Sequence, residues 1–155
     1  MKKYFAGMLA LSIAFIAILG HAQNDKNKKN VYKGKTLWAD GVTGTGKISK
    51  QLFDSMLDQR LVAVDSAGNK HPVLFHLFMY AERGLFEDSM GKLRIMTDHY
   101  IFQCDDGTLP QDWVTNIRQR SKAGDTVYYN NVISSYDDSG RYHFYTEPLK
   151  LLITE

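Results

Sequence analysis

GVTGTGKIS, from Gly41 to Ser49, is spelled almost like a phosphate-binding loop. In the G-x-x-x-x-G-K-[ST] pattern, backbone amides cradle phosphates, the lysine reaches the terminal phosphate and the next hydroxyl holds magnesium. Gly41, Gly46 and Lys47 stand in place, but the hydroxyl position is Ile48 and the serine comes one residue late, at Ser49. No long apolar strand precedes the loop, only Thr36 to Ala39. Nucleotide chemistry is therefore not expected. The stretch reads instead as a loose approach to a helix, with Ser49 as N-cap and Ile48 and Phe53 as a hydrophobic staple around it.

The other chemistry-bearing residues are thinly spread. His76, His99 and His143 fall in strand-like runs and His71 at a strand start. None has the spacing of a zinc site, so each is expected to be a half-exposed strand residue. Cys104 is the sole cysteine. It excludes an internal disulfide and reads as a small apolar strand residue rather than a nucleophile. The pairs Asp105–Asp106 and Asp137–Asp138 could offer carboxylates to calcium. Both lie in glycine-containing turns, where aspartate is common for backbone reasons. No G-x-S-x-G elbow is present. No catalytic residue, cofactor or metal ligand is expected.

Residues 1–22 have the three parts of a secretory signal: basic Lys2 and Lys3, an apolar run Phe5 to Leu19, and small residues at Gly20 and Ala22. At about 15 residues the apolar run is short for a bilayer span, which needs roughly 20. No cysteine follows it for lipid attachment. A periplasmic or secreted chain beginning at Gln23 is expected, with no membrane span after cleavage. The whole sequence has 19 Lys+Arg and 17 Asp+Glu, and losing Lys2 and Lys3 makes the mature chain formally neutral. No basic field argues for nucleic acid. Residues 23–35 are polar and lysine-rich and read as a flexible spacer, leaving 36–155 for a single domain.

Several elements must position whatever this domain does. Leu52, Phe53, Met56 and Leu57 make one helical stripe, and Leu61 to Val64 a short strand ending in the turn DSAGNK. PVLFHLFMYAER is the strongest strand signal. Val73, Phe75, Leu77 and Met79 are expected to fill the core from one face, leaving Phe78 and Tyr80 on the other. LRIM and HYIFQC read as two strands with a turn or bulge at Thr97–Asp98, where the apolar phase switches. Thr108 and Gln111 have capping-box spacing before a helix with Leu109, Trp113 and Ile117 on one face and Gly124 as its close. In TVYYNNVISSY the step from Tyr129 to Val132 suggests a bulge at Asn130–Asn131. A hairpin at Asp137–Gly140 leads into RYHFYTE, and Leu149, Leu151 and Ile153 point inward along the last strand. The expected class is mainly β (α+β): an Ig-like β-sandwich of about seven strands with two short helices.

The G-x-I-S-K entry (Gly46, Ile48, Ser49, Lys50), the G-D-x-V-Y-Y strand start (Gly124 to Tyr129) and the D-x-G hairpin (Asp138, Gly140) together resemble one family. It is the C-terminal domain of the gliding-motility protein GldM, called PorM in non-gliding relatives, and the resemblance covers about residues 41–154. It implies an Ig-like sandwich at the periplasmic tip of a dimeric shaft, which joins an inner-membrane motor to the outer-membrane ring of type IX secretion. It supplies no catalytic residues. The sequence departs from the family by lacking its transmembrane helix, helical stalk and upstream domains, so a fold and a binding role carry over, not force transmission. The leading expectation is a non-enzymatic interaction module that binds cell-envelope proteins, secretion-ring components among them, or a second copy of itself as a homodimer. The alternative is a small-molecule- or metal-dependent activity on the same scaffold. Phe78 and Tyr80 are the expected partner-binding residues, with Tyr142 and Tyr145 of the aromatic hairpin as the second choice, because aromatic side chains dominate interface centres.

Overall fold

The computed structural model describes residues 32–155 except 39, 42 and 138. The expected signal (1–22) and most of the spacer (23–31) lie outside the described residues. Elements follow in the order β1 (Tyr32–Leu37), β2 (Gly46–Ser49), α1 (Lys50–Met56), β3 (Val62–Asp65), β4 (Lys70–Glu87), β5 (Leu93–Cys104), α2 (Gln111–Arg120), β6 (Thr126–Ser135), β7 (His143–Glu147) and β8 (Leu149–Thr154). This is a mainly β, α+β fold, as the strand-rich pattern predicts.

The spacer ends sooner than its composition suggests. Tyr32 to Lys35 are already strand, antiparallel to β3 and parallel to β7. Gly34 lies so close to its neighbour that an added Cβ would meet the Val64 carbonyl at 2.4 Å. Ladder bonds hold this polar segment in place, so its lysines gave no sign of order.

The eight strands of the described residues join one sheet in the order β2-β8-β6-β7-β1-β3-β4-β5. A further antiparallel pairing of β6 with β4 closes the circuit β6-β7-β1-β3-β4 on itself. The pairings thus form a partly closed barrel, not the two separate sheets expected of an Ig-like sandwich. Closure removes the edges of the strands in the circuit, and β2 and β5 are left as the terminal strands.

The opening motif is resolved by β2. Gly46 to Ser49, where a phosphate loop would wrap, pair parallel with Leu151 to Thr154 of β8, so the approach is a strand and not a loose loop. The Ser49 side chain accepts from the Leu52 N–H at 3.3 Å, which is the expected cap. Ile48 and Phe53 are both buried, while Leu52 of the expected stripe is exposed. At α2 the capping box does not form. Pro110 is the N-cap and Gln111 the first helical residue, and Thr108 bonds Asp106 instead, at 2.7 Å. Ser121 closes the helix, donating to the Ile117 carbonyl at 2.8 Å; Gly124 lies beyond and donates to Ile153 of β8. Arg118 of α2 donates twice to the Asp54 carbonyl of α1, at 3.0 and 2.7 Å, tying the helices together.

The core is built on Trp38, Phe53, Phe78, Tyr80, Val127, Tyr129, Leu149, Leu151 and Ile153. Both expected features of the last two long strands are present. Leu149, Leu151 and Ile153 face inward, and β6 bulges where Asn131 adopts φ +50. A second bulge was not foreseen. Val73 pairs with Ser134 and Phe75 with Ile133, so Leu74 is an extra residue on β4. One inserted residue turns every later side chain over. His76, Phe78 and Tyr80 therefore face the core, and Leu77 and Met79 face outward, half-buried. This reverses the expected assignment past the bulge, while Val73 ahead of it lies in the core as expected.

Candidate interaction surface

Reversal of β4 removes Phe78 and Tyr80 from any surface: both are 0% exposed. Phe78 packs edge-on to Tyr129 and Trp113, and the Tyr80 ring stacks on Tyr100. Tyr142 and Tyr145 of the second-choice hairpin are exposed, with Tyr145 in register beside exposed Tyr32 on β1.

The larger apolar exposure lies elsewhere. β4 pairs with β6 only as far as Ala81, yet continues to Glu87. Beyond Ala81 its only strand partner among the described residues is β5, which pairs from Glu82↔Asp98 to Glu87↔Leu93. The result is a two-stranded ribbon that leaves the body. Leu85 (70% exposed), Phe86, Met90 (81%), Leu93, Ile95 and Met96 line it. Paired residues share a face, so Leu85 and Ile95 lie together on one side and Phe86 with Arg94 on the other. The expected turn at Thr97–Asp98 is absent: β5 is continuous from Leu93 to Cys104. Its apolar phase switches there for another reason. Tyr100, Phe102 and Cys104 face the body, whereas Leu93 and Ile95 belong to the free ribbon and use the other face.

Both ends of the ribbon are fixed by carboxylates. At the tip, Asp88 accepts from the N–H groups of Met90 and Lys92 at 3.0 Å and from Arg94 Nε at 2.7 Å, and Gly91 takes φ +75. The Arg94 bond is the largest cause holding the Asp88 carboxyl below its ordinary range. At the root, Asp125 is fully buried and accepts from Tyr80 Oη at 2.6 Å, Arg83 N at 2.8 Å and Lys122 N at 2.9 Å. Arg83 is beyond the last β6 pair, so Asp125 supplies the acceptor that β6 no longer provides. Beside it, Arg120 of α2 binds Glu82 and Tyr100 Oη, with its guanidinium 4.4 Å above the Tyr100 ring. Burial, and then the bond to Asp125, push the Tyr80 hydroxyl far above its ordinary pKa.

The histidines divide. His99 and His143 are exposed, but His76, expected half-exposed, is fully buried with neither ring nitrogen bonded. Burial pulls it down to about 4. Nearby, Tyr129 Oη and Trp38 Nε1 are also buried without partners. Cys104 is opposite His76 in the ladder, and burial pushes its thiol up to about 12, which suits a packed residue and not a nucleophile. His71 Nε2 is 3.0 Å from Asp65, with its ring edge-on to Tyr136 and Phe144. Among the described residues no hydroxyl or thiol donates to it. Asp106 and Asp137 bind the side chains of Thr108, and of Ser135 and Ser139, within their own turns. An open groove of about 390 Å³ lined by Tyr100, Asp112, Trp113, Asn116 and Arg120 runs beside α2.

Fold and surface thus define a class: a mainly β domain that projects an apolar ribbon from a closed body. No family model, no curated protein and no solved structure matches the chain.

Proposed function

We propose that the chain is an exported, non-enzymatic protein-interaction module of the bacterial cell envelope, and that the β4–β5 ribbon is its contact surface. The observation that carries this reading is the ribbon's exposed apolar set, from Leu85 at 70% to Met90 at 81%. Monomeric domains rarely expose such contiguous patches unless a partner covers them. A relation to the periplasmic tip domain of the GldM shaft is part of the proposal, and rests on the Gly46–Lys50, Gly124–Tyr129 and hairpin stretches.

Two measurements test it. N-terminal sequencing of the native protein should begin at Gln23; a chain starting at Met1 in the membrane fraction would overturn the export half. For the contact half, a photo-crosslinking residue placed at Met90 in cells should yield an adduct with an envelope protein, identified by mass spectrometry. Leu85→Thr with Ile95→Thr should abolish that adduct while changing stability by no more than about 0.5 kcal/mol per site, since both side chains are exposed and threonine suits a strand. An adduct that survives the double substitution would remove the ribbon from the interface.

A further inference from the structure

β5 ends the sheet, with β4 along one side and, among the described residues, no strand along the other. Such an edge presents a row of unpaired backbone groups, which natural proteins usually blunt with lysine, proline or short length. β2, the opposite terminal strand, is four residues long and carries exposed Lys47. β5 has twelve residues and neither lysine nor proline. Its formal charges are Arg94 and Asp98, on one face with Met96 midway between them. Asp98 sits in register beside a second acid, Glu82, whose carboxylate is taken by Arg120 and Lys122. Among the described residues no cation pairs with Asp98. Arg94 is held by one bond, from Nε to Asp88.

We propose that β5 pairs antiparallel with β5 of a second copy about a two-fold axis at Met96. The inference rests on the ribbon being a contact surface and names one occupant of its edge. This register sets Arg94 opposite Asp98 of the second copy, twice, and Ile95 opposite Thr97. An axis at Arg94 or at Asp98 would set like charges face to face, which is destabilising, and one at Ile95 or Thr97 would set Arg94 opposite Met96 or Tyr100; of these registers only the one at Met96 joins Arg94 to Asp98. The two ribbons merge into a four-stranded sheet with the bodies at opposite ends, and the faces bearing Leu85 and Phe86 stay open for the envelope partner.

Sedimentation of the purified chain should show a dimer. Asp98→Arg and Arg94→Glu each place one sign of charge along β5 and should weaken it about tenfold or more, from two repulsive contacts per dimer. An equimolar mixture of the two variants should restore a heterodimer. Met96→Cys should cross-link at the axis on oxidation and Met90→Cys should not; the native Cys104 is buried and does not interfere. A chain that stays monomeric at high micromolar concentration, or a dimer indifferent to both charge variants, overturns the pairing. Neither result touches the adduct formed at Met90, so the broader reading of the ribbon stands or falls separately.

Discussion

Asp125→Ala is expected to lower the unfolding free energy by about 3–5 kcal/mol, the scale for removing one member of a buried, hydrogen-bonded charged network. The carboxylate is 0% exposed and serves three donors: Tyr80 Oη, Arg83 N and Lys122 N. Alanine leaves the buried Tyr80 hydroxyl without an acceptor, and the part-buried N–H groups of Arg83 and Lys122 lose the one the fold gives them. The loss should also be local. Arg83 and Lys122 amide protons should exchange much faster, because the ribbon root then has no acceptor in place of β6. Urea denaturation with hydrogen exchange checks both parts. A loss below about 1 kcal/mol would show that water can replace the carboxylate, and Asp125 would not be the anchor of the root.

The second large effect is acid sensitivity at His76. In the unfolded chain this imidazole takes a proton below its ordinary pKa of 6.5; in the folded core burial holds it neutral down to about 4. The unfolded state therefore binds more protons between those values. Stability is full above about pH 6.5 and falls as the pH drops towards 4, by about 3 kcal/mol across the window. Asp106 works weakly the other way by attracting the charged ring. Cys104 and Tyr129, which also face the ring, are uncharged in this range, their ionisations pushed up by burial. His76→Leu should flatten the acid limb and, by removing two unbonded ring nitrogens, cost little at pH 7. The carboxylates of Asp88 and Asp137, held low by their hydrogen bonds, also lose stability on acidification, but equally in both proteins; Asp106, held low first by Thr108 and only lastly by the His76 ring, changes little between them. Equal acid limbs in wild type and variant would mean that the ring is hydrated in solution.

What could be read from the sequence was whatever local spacing decides. Ser49 and Ile48 specify a helix entry within five residues, and the step from Tyr129 to Val132 records the β6 bulge. Alternation fixes Leu149, Leu151 and Ile153. The failures come from pairing between distant strands. Leu74 becomes an extra residue only because of its register against Ser134 and Ile133, and no local cue marks it. With it went the orientation of Phe78 and Tyr80, and so the first choice of surface. The ribbon was half visible. Leu93 and Ile95 alternate, and Asp88 and Gly91 spell a turn, but only the end of β6 pairing at Ala81 shows that this hairpin runs on past the last strand beside it. Buried His76 had no signal at all.

The clamp at the ribbon's root also separates two kinds of selection. Tyr80, Arg83 and Asp125 join the ribbon to the fold, whereas the strand residues of Leu85 through Ile95 pair only with each other. Substitutions in the outer segment are expected to come at almost no cost to folding, as is usual for surface positions away from caps and networks. Those at the root jeopardise the whole domain. With the ribbon as the proposed contact surface, a lineage carrying this domain could exchange one partner for another by drift in about a dozen residues of ribbon while the body remains nearly frozen, much as binding loops diversify on a rigid scaffold.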